Sequence, residues 1–473
     1  MVFSSLTFVL FFLPAIILLY FFDKNPKYRN MVLLIFSLIF YAWGEPKWIF
    51  VMLLTVTVNY AAGLMISKAK SKKTRVLWML AGVGLSLGFL FYFKYCGFLT
   101  ETVTSLLGVN NPFKSPVLPI GISFYTFQVI TYTVDVYKEK VPVQKNYARL
   151  LLYISFFPQL IAGPIVNYKD IEGYLGERTV LADDFYEGFM SFFIGFSKKV
   201  LIANTCGLIT EKIIGAGEMS IAGAWIMAIA YTLQIYFDFS GYSDMAIGLG
   251  RMFGFKFLEN FDYPYTSKSI TEFWRRWHIS LGSFFREYVY IPLGGNRVGK
   301  AKHIRNIMIV WMLTGIWHGA SWNFIIWGLY YGVLLLAEKY IFLKIKEKIP
   351  AIINIVITLV FVIIGWIFFY YIDLSEGIRH LGIMFGFIKT SLTDPVSTYY
   401  FKHYFVLLVI GVLSSISWKR IGEKLFAKRI PNAQSLAASI SVWAKPVAVT
   451  LLFLLSMAMI IGQSYNPFLY FRF

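Results

Sequence analysis

The chain has 473 residues, of which 58% are hydrophobic, and its formal net charge is +19. Soluble domains contain only about 45–50% apolar residues, so this composition and the mean hydropathy of +0.63 exclude an ordinary water-soluble protein. Several apolar runs reach the roughly 20 residues that a helix needs to cross the hydrocarbon core. The two-residue alternation of an outer-membrane barrel is absent. We therefore predict an all-α, polytopic membrane protein.

The apolar segments predict the membrane spans in chain order. The first, at 3–22, lacks a basic start and a cleavage site, which indicates a retained helix and not a signal peptide. The further predicted spans are 31–43, 48–66, 76–95, 185–215, 221–250, 351–371, 404–418 and 446–463.

The charge distribution predicts the orientation of these spans. There are 44 Lys and Arg against 25 Asp and Glu, and the densest early basic run is 68–75. Basic loops of multi-pass proteins face the cytoplasm, so we expect the N-terminus outside. The two cysteines, Cys96 and Cys206, predict neither a disulfide framework nor a metal site.

Proline and glycine interrupt the apolar sequence of residues 116–164, which opens with Pro116, Pro119 and Gly121. Such breaks are tolerated at membrane depth only where protein or a cavity covers the freed backbone. The pattern predicts re-entrant or half-length helices around a buried passage. Ordinary kinked spans are the alternative.

Arginines alternate with aromatic residues in the segment 270–286, which includes Arg275, Arg276, Trp277 and His278. This pattern predicts an amphipathic helix at the cytoplasmic surface, with its arginines toward lipid headgroups. A basic, aromatic pocket for an anionic, adenine-bearing ligand such as a coenzyme A thioester fits the same residues.

His318 lies in the apolar run 307–336, which also contains Trp311, Trp317 and Trp327. Imidazole suits proton transfer because its ordinary pKa lies near 6.5. A titratable ring at membrane depth is costly without a partner, so it is a candidate functional residue. A histidine that merely forms a hydrogen bond across a helix bundle is the alternative.

In the span 221–250, Asp238, Ser240 and Asp244 are interpreted as polar support, since acids there need water or a partner.

Three stretches resemble the membrane-bound O-acyltransferases (MBOAT), and in particular the bacterial branch typified by the membrane subunit of alginate O-acetylation. They read FWRRWHISL at 273–281, YIPLGGNR at 290–297 and WHGASW at 317–322. Four further stretches are similar to that branch, namely 121–128, 158–164, 238–244 and 468–473.

The resemblance implies a fold of about eleven transmembrane helices around a buried passage, in one domain spanning 1–473. Within it we expect N-terminal helices at 1–115, a catalytic core at 116–340 and C-terminal helices at 341–473. His318 corresponds to the family's catalytic histidine, and His278 to its second characteristic position. A structural role for His278 is the alternative.

The remaining expected site residues fall into two sets, and no metal site is expected. The residues expected to bind the donor or orient the ring are Arg275, Arg276, Trp277, Trp317, Ser321 and Trp322. The residues expected to give polar support are Gln128, Asp238, Ser240 and Asp244.

The resemblance implies O-acetylation of an exported or cell-wall polysaccharide, with cytoplasmic acetyl-coenzyme A as donor substrate and no bound cofactor. The expected location is the bacterial cytoplasmic (inner) membrane, among its lipids, and no nucleic acid is involved. A separate extracytoplasmic SGNH-type acetyltransferase is the expected partner. His318 can act as a base or carry the acyl group itself. D-alanyl transfer to teichoic acid from a carrier-protein thioester is one alternative function, and a transporter or flippase without acyl chemistry is another.

Overall fold

The computed structural model describes residues 1–342, 348–418, 420–422, 433–462 and Leu469. Every regular element in these ranges is a helix, which confirms the all-α prediction. Most of the basic segment after the predicted span 404–418, and most of the closing stretch 468–473, lie outside the described residues.

One compact unit comprises Met1–Phe192 and Met245–Leu258. Polar residues begin two of its long helices, since the Asn25 side chain accepts a hydrogen bond from the Lys27 N–H and Ser71 accepts one from that of Thr74. Its first six helices are α1 Phe8–Phe22, α2 Pro26–Gly44, α3 Ile49–Lys68, α4 Lys72–Leu107, α5 Ile122–Tyr137 and α6 Tyr147–Ser155. Helix α4 is longer than the predicted span 76–95 and ends at Gly108, whose φ is +65°.

The segment 116–164 folds into short helices, as predicted. Helices α5 and α6 have 16 and nine residues, and Phe157–Leu160 forms a single turn. At about 1.5 Å per residue, none of these spans a bilayer alone. Gly121 precedes α5 with φ +79°, and a Cβ there would lie 2.7 Å from the Leu160 carbonyl oxygen, so the close approach requires glycine.

The other compact unit comprises Phe193–Asp244 and Glu259–Arg472. Two long helices, α7 Ala182–Ile214 and α8 Ile221–Met252, contribute residues to both units. The remaining helices are α9 Ile270–Arg276, α10 Ile279–Phe285, α11 Lys300–His318, α12 Trp322–Phe342, α13 Ala351–Tyr370, α14 Leu374–Met384, α15 Pro395–Ser414 and α16 Ala433–Gly462.

Within the described ranges, eight helices are long and apolar enough to cross a membrane, which makes this a multi-pass membrane protein. They are α3, α4, α7, α8, α12, α13, α15 and the segment Trp443–Gly462 of α16. Helix α1 is apolar but shorter. The expected count of about eleven stays a prediction.

Candidate active site

The predicted single amphipathic helix over 270–286 is wrong, because the chain breaks between α9 and α10. His278 stands at the break with φ +46°, in the left-handed region, and cannot continue a right-handed helix. Helix α9 begins after Ser269, whose hydroxyl accepts the Glu272 N–H at 3.0 Å. The break turns the His278 side chain into a different direction from the one that a continuous helix would give it.

Asn260 holds the His278 ring and the first turn of α10 together. Its Oδ1 lies 3.3 Å from His278 Nδ1 and accepts hydrogen bonds from the Ser280 N–H at 3.1 Å and the Ser280 hydroxyl at 2.9 Å. Its Nδ2 donates to Ser243 Oγ at 3.2 Å, and its carbonyl accepts the Ile279 N–H at 3.0 Å. Since Oδ1 only accepts, Nδ1 must carry the proton, which leaves the lone pair on Nε2.

The His278 side chain is 3% exposed. Burial disfavours the charged imidazolium and lowers the pKa of His278 from 6.5 to about 3. The ring is therefore neutral at physiological pH. A neutral, oriented imidazole can accept a hydrogen bond at Nε2, whereas a pKa of about 3 makes it a weak base.

Helices α11 and α12 form a tightly packed hairpin, and His318 lies where α11 ends. Two glycines allow this packing, since a Cβ on Gly315 would overlap the Phe324 carbonyl and one on Gly328 would overlap that of Trp311. His318 is the last residue of α11, and Gly319 follows in an extended conformation. The local sequence therefore places the histidine at the helix end, inside the hairpin turn.

Aromatic rings surround His318, which is 6% exposed. Its ring centroid lies 5.0 Å from that of Trp317, 4.9 Å from Trp327 on α12 and 5.2 Å from Phe369 on α13. The Trp317 ring also lies 5.9 Å from the His278 ring. The fold thus places both predicted histidines beside Trp317, although the two histidines lie forty residues apart in the sequence.

A cavity of about 660 Å³ has His278 in its wall, whereas His318 and Trp317 are not among its lining residues. Its polar lining combines Arg275, Arg286 and Lys339 with the buried Glu338. Glu338 accepts the Ile270 N–H at 2.8 Å and the Thr271 N–H at 3.3 Å, so it caps α9. The apolar and aromatic part of the wall consists of Trp274, Trp277, Leu281, Phe285, Ile307, Val310, Trp311, Leu335 and Leu336.

The expected donor-binding residues divide into those that line this cavity and those that do not. Arg275 and Trp277 line it. Arg276 instead forms an ion pair of 2.5 Å with Glu272. The Ser321 hydroxyl donates to Asn323 Oδ1, and the Trp322 side chain is 55% exposed.

The expected polar-support residues lie in other clusters. Asp238 pairs with Lys199 at 2.6 Å and accepts the Leu469 N–H at 2.9 Å, while Asp244 pairs with Lys198 at 2.6 Å. Ser240 is buried on the same helix, α8, and Gln128 is buried in α5. The two acids thus meet lysines on the π-helical turn Lys198–Ala203 of α7, as acids at membrane depth require.

Several residues at the site were not expected from the sequence, namely Asn260, Ser280, His303, Glu338 and Lys339. His303 lines the cavity and lies 3.0 Å from both Lys339 Nζ and the Tyr340 hydroxyl. Glu338 carried a usable signal, because it is the first acid after the apolar run that contains His318. In the described part of the chain, no group of three His, Cys, Asp or Glu residues can hold a metal ion.

Comparison with known proteins identifies the family. Residues 137–374, which contain both histidines and the whole cavity lining, match the membrane-bound O-acyltransferase family. The chain belongs to the MBOAT family. It is therefore an acyltransferase, and the resemblance seen in the sequence is confirmed.

Relatives from three bacteria illustrate the range within this MBOAT family. "Probable alginate O-acetylase AlgI" of Pseudomonas putida is 39% identical over the full length of both chains. "Peptidoglycan O-acetyltransferase" of Helicobacter pylori is 32% identical over all of this chain and 98% of the relative. "Teichoic acid D-alanyltransferase" of Bacillus subtilis is 33% identical, over 59% of this chain and 78% of the relative.

Proposed function

We propose that this MBOAT protein transfers acetyl groups from cytoplasmic acetyl-coenzyme A for the O-acetylation of an exported or cell-wall polysaccharide. The observation that carries the proposal is the cavity with His278 in its wall and three basic side chains in its lining. The names of the two full-length relatives, which are O-acetylating proteins, support acetyl as the group transferred. The final acceptor is a polysaccharide hydroxyl.

The charge of the cavity suits the donor. Arg275, Arg286 and Lys339 face a single acid, Glu338, whose oxygens are held by backbone N–H groups. The phosphate groups of coenzyme A would bind these cations, and Trp274 or Trp277 offers a flat surface for the adenine ring. The apolar side of the cavity, near Val310 and Trp311, would take the thioester away from water.

The chemistry requires one proton to move from the acceptor to the leaving group. The acceptor oxygen attacks the thioester carbon, the carbon–sulfur bond breaks, and the proton passes through an imidazole to the coenzyme A sulfur. His318 is the proposed base, with acyl transfer through His318 itself as the variant in which the ring is the nucleophile. His278, neutral and oriented by Asn260, assists by accepting a hydrogen bond at Nε2 that orients the reacting groups.

The proposal includes a location and a partner. The basic residues near the cavity, including Lys300 and Lys339, support a cytoplasmic opening and an N-terminus outside the cytoplasmic membrane. On the far side, a hydroxyl of a separate SGNH-type acetyltransferase would be the acceptor that takes the acetyl group, and this partner would then pass the acetyl group to the polysaccharide hydroxyl.

The test uses membranes that contain the wild-type protein, the partner and the acceptor, with radiolabelled acetyl-coenzyme A on the cytoplasmic face. We expect label on the acceptor with wild type, and about 10²–10⁴-fold less with His318→Ala, which is the usual contribution of a general base. His403→Ala is the matched control, because His403 is an exposed histidine. Its labelling should equal that of wild type.

Three results would change the assignment. Label that comes only from a D-alanyl carrier protein would replace acetylation by the teichoic-acid reaction, which the partial match to the Bacillus subtilis enzyme makes the second candidate. Equal labelling by wild type and His318→Ala would remove His318 from the catalytic step. Transport of a substrate without any acyl transfer would point to the flippase.

A further inference from the structure

A second cavity, of about 530 Å³, lies in the compact unit that contains α1 to α6. The ends of four helices meet there. Its lining includes Lys24 between α1 and α2, Pro26 at the start of α2, Asp184 in the first turn of α7, and Arg251 at the end of α8. Since all four helices end or begin at this cavity, it lies at one end of this group of helices.

The lining of this cavity is basic. Four cations, Lys24, Arg178, Arg251 and Lys256, face two acids, Glu177 and Asp184, so the net charge of the wall is +2. Asp184 neutralises part of the positive charge of the wall, since its carboxylate lies 3.0 Å from Arg251 Nε and 3.6 Å from Lys256 Nζ. Arg178 and Lys24 are the two cations of the wall that form no ion pair with Asp184.

Arg178 is held in place entirely by neutral acceptors. Its Nε donates to the Tyr20 hydroxyl and the Phe253 carbonyl, both at 3.0 Å. Its Nη1 donates to Asn30 Oδ1 at 2.6 Å and the Tyr174 carbonyl at 3.1 Å. Nη2 is buried and has no hydrogen-bond partner among the described residues.

These contacts hold the Arg178 guanidinium in place without neutralising its charge. A guanidinium is costly to bury without an anion, yet here five neighbours orient it, including the Phe255 ring at 4.5 Å. Arg178 lines the cavity, and planar guanidinium groups bind phosphate particularly well. An anion in the cavity would compensate the charge of this guanidinium.

The surroundings indicate where that anion comes from. Phe22, at the end of α1, is 84% exposed, and Leu181, in the cavity lining, is 61% exposed. Exposed apolar side chains beside a basic cavity at helix ends are typical of the boundary between acyl chains and headgroups. We propose that this cavity binds the phosphate group of an anionic phospholipid headgroup, with Arg178 and Lys24 as its principal ligands.

The test uses the full-length protein, purified in a neutral detergent and mixed with phosphatidylglycerol or phosphatidylcholine. Native mass spectrometry counts the retained lipid, and tryptophan fluorescence gives the thermal midpoint. We expect wild type to retain one phosphatidylglycerol and to be stabilised by it in preference to phosphatidylcholine. The double variant Lys24→Gln, Lys256→Gln should bind phosphatidylglycerol at least fivefold more weakly, and Arg178→Gln at least tenfold.

The controls separate binding from folding and from general charge. Lys70→Gln with Lys73→Gln removes the same charge from exposed positions outside the cavity and should bind like wild type. The two substituted lysines of the cavity variant are exposed, so that variant keeps the test valid even if Arg178→Gln does not fold. Acyl transfer is not the readout, so this test stands apart from the proposed function.

Soluble glycerol 3-phosphate distinguishes the two sources of the phosphate group. Competition by glycerol 3-phosphate with phosphatidylglycerol in wild type, weakened in the cavity variants, would confirm that the phosphate is the recognised group. Stabilisation by glycerol 3-phosphate with no effect of the lipid would overturn the assignment to a headgroup. Equal binding of phosphatidylglycerol by wild type and both cavity variants, or equal binding of phosphatidylcholine, would overturn the site.

Discussion

The two histidines of the candidate active site are positioned in different ways. His278 stands on a left-handed backbone and is oriented by a polar network centred on Asn260. His318 ends a regular helix, and its ring lies among the rings of Trp317, Trp327 and Phe369. The first position depends on hydrogen bonds and an uncommon conformation, the second on packing. The same substitution should therefore have different consequences at the two positions.

The largest effect should come from replacing each histidine by phenylalanine, which keeps a flat ring and removes the nitrogens. Both variants should lose acetyl transfer by about 10²–10⁴-fold. His318→Phe should keep its thermal midpoint within a few degrees, because its neighbours are aromatic. His278→Phe should lose about 1–3 kcal/mol of stability, since it removes the buried hydrogen bond to Asn260 Oδ1.

Activity and stability are both measured for each variant. Acetyl transfer is assayed in membranes, and thermal unfolding is followed by fluorescence in detergent. His403→Phe is the control at an exposed histidine and should change neither. If His318→Phe were the less stable of the two variants, the distinction between a packed and a hydrogen-bonded histidine would be wrong.

The buried ion pair between Lys199 and Asp238 extends the comparison, because neither residue lines the cavity. Lys199 and Asp238 have side chains only 3% and 1% exposed, whereas Lys198 and Asp244 are 28% and 30% exposed. Asp238→Asn leaves a buried ammonium without its carboxylate and should cost about 3–5 kcal/mol. Asp244→Asn breaks a half-buried pair and should cost about 0–1 kcal/mol.

These two aspartate variants are to be compared by thermal unfolding and by acetyl transfer per folded molecule. Folded Asp238→Asn protein should keep its rate, which distinguishes support of the fold from chemistry. A stable Asp238→Asn variant without activity would place Asp238 in the reaction. Equal losses of stability in the two variants would contradict the dependence on burial.

The helical, multi-pass fold could be predicted from the sequence, because it depends on local signals. Apolar runs such as 351–371 have the length of a span, and the short helices of 116–164 follow from their prolines and glycines. The catalytic roles of His278 and His318 stay predictions, which come from the motifs at 273–281 and 317–322. Such local features need no knowledge of distant contacts.

The kink at His278 and the cap on α9 could not be predicted in the same way. No proline or glycine marks positions 277 and 278, so the alternation of arginine and aromatic residues predicted one continuous helix. The break is stabilised by Asn260, eighteen residues away, and α9 is capped by Glu338, sixty-eight residues from Ile270. Contacts at such separations belong to the tertiary structure and leave no periodic signal.

The smallest expected effect, Asn260→Asp, tests the polar network around His278 directly. In wild type, burial holds the pKa of His278 at about 3, so the ring stays neutral and its protonation does not limit activity above pH 5. A carboxylate at position 260 would lie next to Nδ1–H and stabilise the imidazolium, which raises the pKa of His278. When the pH is lowered, the His278 ring of this variant therefore becomes charged at a higher pH than the ring of the wild-type protein.

The activity of Asn260→Asp relative to wild type should therefore drop by about tenfold between pH 8 and pH 5, as an opposite charge beside a titrating group predicts. At pH 8 the two proteins should be closer, because His278 is neutral in both. Asn110→Asp, at an exposed asparagine, is the matched control and should show no such trend. A ratio that is constant with pH would mean that Asn260 only supports the fold of α10. A falling ratio, which a purely structural role would not produce, assigns to Asn260 the orientation and protonation of the imidazole in the cavity wall.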